Sequence, residues 1–192
     1  MQTLTFEVPN DLGLHVNPDE FAAIAAVNRD LRLERTADGE LVVAPPTGGE
    51  SGRRNIRIGR YLDEWTERYG GVCFDSSSGF VLPNGATRAP DAAWVSQDRW
   101  DALTQAEKEG FVPLCPDFAI ELRSQSDLLN VLQNKMREYI DNGVRLGWLI
   151  DPKSRRVEIY RNGRDVETLD NPSQVSGEDV LPGFILDLQK VW

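Results

Sequence analysis

At 192 residues the chain is long enough for one domain with a substantial buried core, and short for two. Hydrophobic residues make up 40% and charged residues 27%, a globular composition that excludes a disordered or fibrous protein. The formal charge of -10 weighs against tight nonspecific binding to nucleic acid, because phosphate contacts draw on clustered Lys and Arg.

Three further absences narrow the chemistry. His15 is the single histidine and lies before the first clear helix with no constellation around it, so it reads as a surface residue. A Ser-His-Asp triad, a HExxH zinc site and a two-histidine iron site all lack the core histidine they require. Cys73 and Cys115 stand outside any CxxC or Cys/His cluster and read as buried or half-buried thiols. The opening MQTLTFEVPND lacks the basic start and apolar stretch of a secretory signal, and no apolar run approaches ~20 residues. A cytoplasmic protein without membrane contact is expected, and any metal should be hard and oxygen-bound.

In chain order, Asn17 is a good N-cap for a helix over residues 18–28, on which Phe21, Ile24, Ala25 and Val27 recur near helical spacing. Residues 31–35 alternate apolar and polar, Asp38-Gly39 turns the chain, and residues 41–43 return, which predicts a hairpin. From Glu50 a long helix runs to Gly70-Gly71, with Ile56, Tyr61, Leu62 and Trp65 expected on one side. Arg53, Arg54, Arg57 and Arg60 lie along it, either as a local basic surface for nucleic acid or as a solvated face. Short strands are expected over 72–74, 80–82 and 90–95, then a polar surface helix or loop over 97–110. Residues 117–122 read as a buried central strand carrying one conspicuous acid, Glu121. A helix over 127–142 ends at Gly143, and strands over 144–150, 156–160 and 166–169 follow. The elements predict an α/β fold with a mixed β-sheet flanked by helices, in which the helix after Glu121 is long enough for a parallel crossover.

On an extended strand Glu121 and Arg123 share a face, an acid for metal and a cation for developing charge, but by themselves they read more simply as a local ion pair at a strand edge. Asp91, after Pro90, offers a second acid, and two carboxylates from neighbouring strands suit the octahedral oxygen shell of Mg2+ or Mn2+. On the helix over 127–142, Leu128, Leu132, Met136 and Tyr139 form a stripe that contains Lys135. A lysine there either snorkels outward or reaches the carboxylates, and in the second case Lys135→Met is expected to cost little stability. Glu50 is a third acid within reach of a metal, or else a favourable charge at a helix N-terminus.

These segments together resemble the Uma-two family of bacterial restriction endonucleases, within the PD-(D/E)XK nuclease superfamily. The resemblance rests on an ordered set: residues 44–47, Pro90-Asp91-Ala92-Ala93-Trp94-Val95, residues 116–127, residues 135–143, Gly147-Trp148-Leu149-Ile150-Asp151-Pro152, and residues 181–184. It implies a restriction-endonuclease-like core over residues 1–192, with residues 1–44 as an N-terminal helix and hairpin extension. It also implies Asp91, Glu121 and Glu50 as ligands of Mg2+ or Mn2+, DNA as substrate, and a homodimer. Two departures stand out: the family's Ser-Pro-Ser is Ser124-Gln125-Ser126, and the lysine of E-x-K is Arg123. Arginine keeps its charge and cannot act as a base, so either Lys135 or Arg123 would take the lysine's part. Two readings therefore follow, a metal-dependent endonuclease and a catalytically silent nuclease-like binding or assembly module.

Overall fold

The computed structural model describes residues 14–192; the opening MQTLTFEVPND, and with it the first part of the expected N-terminal extension, lies outside the described residues. Helix α1 (Pro18–Val27) begins where expected, because Asn17 and Glu20 each accept the other's backbone amide, at 2.9 and 2.8 Å. Strands β1 (Arg32–Arg35) and β2 (Leu41–Ala44) form the predicted hairpin. The long helix is α2 (Gly49–Tyr69), and its buried stripe is Ile58, Leu62, Trp65 and Thr66. Ile56, expected on that stripe, is 74% exposed. It lies two residues from Ile58, about 200° around the helix, so the two cannot face the sheet together.

Strands β3 (Val72–Asp75), β4 (Phe80–Val81), β5 (Thr87–Arg88) and β6 (Ala92–Val95) come next, then short helices α3 (Gln97–Asp101) and α4 (Gln105–Glu109). Strand β7 (Phe118–Leu122) is buried at all five positions, as befits a central strand. Helix α5 (Leu129–Asp141) leads to β8 (Leu146–Asp151), β9 (Arg156–Arg161) and β10 (Glu167–Asp170). A final hairpin, β11 (Gln174–Ser176) with β12 (Ile185–Asp187), was not anticipated, because three-residue strands are too short to show a period.

Six strands form the main sheet in the order β10-β9-β8-β7-β6-β3, and β2-β1-β5-β4 form a second. The main sheet is mixed: β7 and β8 are parallel, joined by α5, and the other pairs are antiparallel. Alternation along β7 sends Phe118, Ile120 and Leu122 into one core with Ile58, Leu62 and Trp65 of α2, while Ala119 joins Met136 and Tyr139 of α5 in another. A Cβ at Gly147 would stand 2.5 Å from Met136 Cε, so glycine there lets α5 settle onto β8. Leu128, expected on the packed stripe of α5, instead precedes the helix as its N-cap and is 66% exposed. Among the described residues no helix is long and apolar enough to cross a membrane.

Candidate active site

The β6–β7 register pairs Ala93 with Ala119 and Ala92 with Ile120, and Asp91, one residue before β6, lies alongside the Ile120–Leu122 end of β7. The Asp91 amide donates to Ile120 O at 2.9 Å, and Asp91 Oδ2 accepts the Leu122 amide at 2.8 Å. Alternation along β7 turns Glu121 toward the α5 face with Ala119, while Asp91, at the entrance to β6, lies against Arg32, Asn55 and the Leu122 amide.

Two side chains one turn apart on α5 meet Glu121. Lys135 Nζ is 2.9 Å from Glu121 Oε1, and Tyr139 OH donates to the same oxygen at 2.9 Å. Lys135 Nζ is also 2.7 Å from Glu34 Oε1, which accepts the Ala89 amide at 3.1 Å. Arg88 links Glu34 and Glu138, at 3.3 and 2.6 Å. Arg32 Nη1 reaches Asp91 Oδ1 at 3.1 Å, while its Nη2 donates to Ala89 O at 2.5 Å.

The electrostatics follow from this packing. Burial pushes the Glu121 carboxyl up, and Asp91 and Glu34 push the same way against the Lys135 ammonium. Burial would strip the proton from Lys135, but attraction to Glu121 and Glu34 outweighs it and raises the pKa of Lys135. Burial also opposes the Glu34 carboxylate, yet Lys135, Arg88 and the Ala89 amide hold its pKa below the ordinary value.

Arg32, Glu34, Asn55, Asp91, Glu121 and Lys135 line a cleft of about 970 Å³. Arg123 and Glu50 do not join them in the acid cluster. Arg123 lies past the end of β7, where alternation lapses, and bonds Asp151 Oδ2 at 2.8 Å and Asp127 O at 3.2 Å. Glu50, at the cleft rim, has a side chain 68% exposed that pairs with Arg53 and Arg54 at 3.0 and 3.3 Å. The basic group on α2 also resolves against a free surface: Arg54 donates to Val191 O at 2.8 Å, Arg57 to Lys190 O at 2.5 Å, and Arg60 to Glu64 at 2.7 Å. Cys115 is buried and Cys73 half-buried, as expected, and His15 is exposed.

Sequence reasoning missed Arg32, Glu34, Asn55 and Arg88. The alternation over residues 31–35 does place Arg32 and Glu34 on one face of β1, but that face reads as solvent-facing until β1 is seen against β5 and the entry to β6.

The donor set admits a divalent ion. Among the described residues no three Asp, Glu, His or Cys side chains gather as a metal-binding group. Magnesium, however, is commonly held by one or two carboxylates, with waters and ligand oxygens completing the shell. Asn55 Nδ2 donates to Asp91 Oδ1 at 3.4 Å, and its Oδ1 is buried with no hydrogen-bond partner among the described residues. An unpartnered neutral oxygen thus belongs to a carboxamide that touches Asp91, and with the carboxylates it would make a hard all-oxygen set.

A mixed sheet between helices, with one acid at a strand entrance and another on the neighbouring central strand, is a restriction-endonuclease-like core. The chain belongs to the Uma2 family, whose description reads "Putative restriction endonuclease" and whose match spans residues 18–189. It is similar to a crystal structure described as a "putative nuclease belonging to DUF820" from Anabaena variabilis ATCC 29413. That likeness has a TM-score of 0.71 and 18% identity, over 83% of this chain and 88% of the other, and establishes the fold. A likeness to the DrdV–DNA complex, with a TM-score of 0.38 and 16% identity over 59% of this chain and 9% of the other, carries no weight. No curated protein matches the sequence.

Proposed function

We propose that the chain is a metal-dependent endonuclease that hydrolyses DNA phosphodiester bonds, with Asp91 and Glu121 holding Mg2+ or Mn2+. The observation that carries this reading is the convergence of Asp91, Glu121 and Lys135 on one cleft from two adjacent strands and a helix. DNA as substrate is supported by the family's description. Bound there, the ion would polarise the phosphate and supply a nucleophilic water.

The chain's own groups prepare the site. The Leu122 amide fixes one oxygen of Asp91 and Arg32 the other, so the carboxylate is oriented in advance. Lys135 and Tyr139 both bond Oε1 of Glu121, and Oε2 takes neither. Lys135, held as an ammonium, is a donor and not a base; Glu121 and Glu34 engage two of its three N–H groups, which leaves one for a phosphate oxygen or a water in the cleft. Arg123 fixes the loop after β7 through Asp151 and Asp127.

One observation favours the alternative, a catalytically silent binding or assembly module: each acid of the pair already faces a cation, Arg32 for Asp91 and Lys135 for Glu121. Nicking of supercoiled plasmid DNA with Mn2+ separates the two. Wild type should cut, and Asp91→Asn and Glu121→Gln should each cut at least roughly a hundredfold more slowly. No cutting by folded wild type, or undiminished cutting by both variants, would overturn the endonuclease reading.

A further inference from the structure

We propose that Arg32 is an internal competitor for the cation site, holding Asp91 until a divalent ion displaces it and then turning into the cleft to meet an anionic phosphodiester. This rests on the reading of Asp91 as a metal ligand.

The two cations of the site are seated differently. Lys135 bridges two acids, with Nζ 2.9 Å from Glu121 and 2.7 Å from Glu34, and its side chain is 11% exposed. Arg32 makes one salt bridge, to Asp91 at 3.1 Å, with Glu121 and Glu34 attracting it from farther off, and its side chain is 29% exposed and lines the same cleft. Its Nη2 is used by Ala89 O, but its Nε is buried with no hydrogen-bond partner among the described residues. A guanidinium bonded through two of its three nitrogens is incompletely satisfied where it sits, and a buried donor without a partner favours departure. Arg32 is also the first residue of β1, so its side chain can swing without breaking the hairpin register.

Displacement follows from charge. A divalent ion on Asp91 would stand within a few ångströms of the guanidinium, in a partly buried site where like charges repel strongly. The carboxylate cannot hold both at full strength. The Asn55 carboxamide touches Asp91 and carries an oxygen without a partner among the described residues, which a turn of the side chain would offer to the ion. The released guanidinium keeps its five donors in a cleft about 970 Å³ in volume, and its fork geometry matches a phosphodiester.

Calorimetric titration of MnCl2 at pH 8 and low salt into wild type, Arg32→Gln, Arg32→Met and Arg32→Lys tests this. Gln can keep the bond to Ala89 O without the charge, which guards against loss of the fold in Arg32→Met. The two neutral variants should bind Mn2+ about tenfold more tightly than wild type, about 1.4 kcal/mol. Arg32→Lys should stay near wild type, and Asp91→Asn should erase the gain made by Arg32→Gln. With Mn2+ saturating, a short duplex with cleavage-resistant phosphorothioate linkages should bind Arg32→Gln more weakly than wild type, an opposite sign that a purely structural arginine would not give. Equal or weaker Mn2+ binding by folded Arg32→Gln overturns the competition while leaving Asp91 as a ligand. Unchanged duplex affinity overturns the phosphodiester contact. Absence of Mn2+ binding in wild type and all variants overturns the metal reading and this inference together.

Discussion

Along α2, Arg53, Arg54 and Arg57 sit within five positions of one another, and they end on the backbone carbonyls of Trp192, Val191 and Lys190 at 3.4, 2.8 and 2.5 Å. Arg32, Arg88 and Lys135 are scattered through the sequence, yet they converge on Glu34, Asp91, Glu121 and Glu138. Crowding in sequence marks a helix that clamps the last residue of the final 3-10 turn (Leu188–Lys190) and the two residues after it, whose carbonyls attract cations. Convergence in space marks the site. A run of arginines is therefore weak evidence for a phosphate surface until their acceptors are known.

The largest expected effect breaks the shared cation. Lys135→Met leaves Glu34 and Glu121 buried without their common partner and should cost roughly 3 kcal/mol or more at pH 8, read from urea unfolding. The low cost expected from sequence alone is thus revised, since the side chain is enclosed and bridges two acids. A loss under about 1 kcal/mol would show that the two carboxylates do not depend on it.

Glu34→Gln should cost less, about 2 kcal/mol near neutral pH, because it removes bonds to charged groups while keeping the shape. Its pH dependence has a definite sign. Burial opposes the Glu34 carboxylate, but Lys135, Arg88 and the Ala89 amide hold its folded pKa below the unfolded value. Its stabilisation is then fully present above about pH 4.3 and lost as the pH falls through the folded value. The gap between wild type and Glu34→Gln should close as the pH falls below about 5, a range clear of Glu121, whose carboxyl is pushed up to about 7 by burial, Asp91 and Glu34. A gap that widens in acid would contradict the pairing.

Arg54→Ala should lower stability by about 1 kcal/mol through the lost bond to Val191 and leave Mn2+ affinity alone. A matching drop in duplex affinity would restore α2 as a nucleic-acid surface. Smallest of all, Glu50→Gln should change neither the urea midpoint nor Mn2+ binding, because Glu50 is exposed and engaged only by its neighbouring arginines.

Much of this site is legible in the sequence where local periodicity controls position. Glu121 is the one acid in an apolar strand, Lys135 interrupts an apolar helical stripe, and Asp91 follows a proline that starts a strand. Each is conspicuous because its neighbours dictate its face. Arg123 lies one residue beyond β7, where strand alternation no longer sets the face, and Ile56 points away from the buried stripe that Ile58 begins. Arg32, Glu34, Arg88 and Asn55 depend on how the β1–β2 hairpin and α2 dock on the strand entrances, which no local period encodes.

The most direct test of the paired-acid site is Mn2+ binding followed by calorimetry and electron paramagnetic resonance at pH 8, on wild type, Asp91→Asn, Glu121→Gln and Glu50→Gln, each checked by urea unfolding. Wild type and Glu50→Gln should bind the ion, and Asp91→Asn and Glu121→Gln should lose it while unfolding within about 1 kcal/mol of wild type. Undiminished binding in both Asp91→Asn and Glu121→Gln, or no binding by folded wild type, would contradict the account.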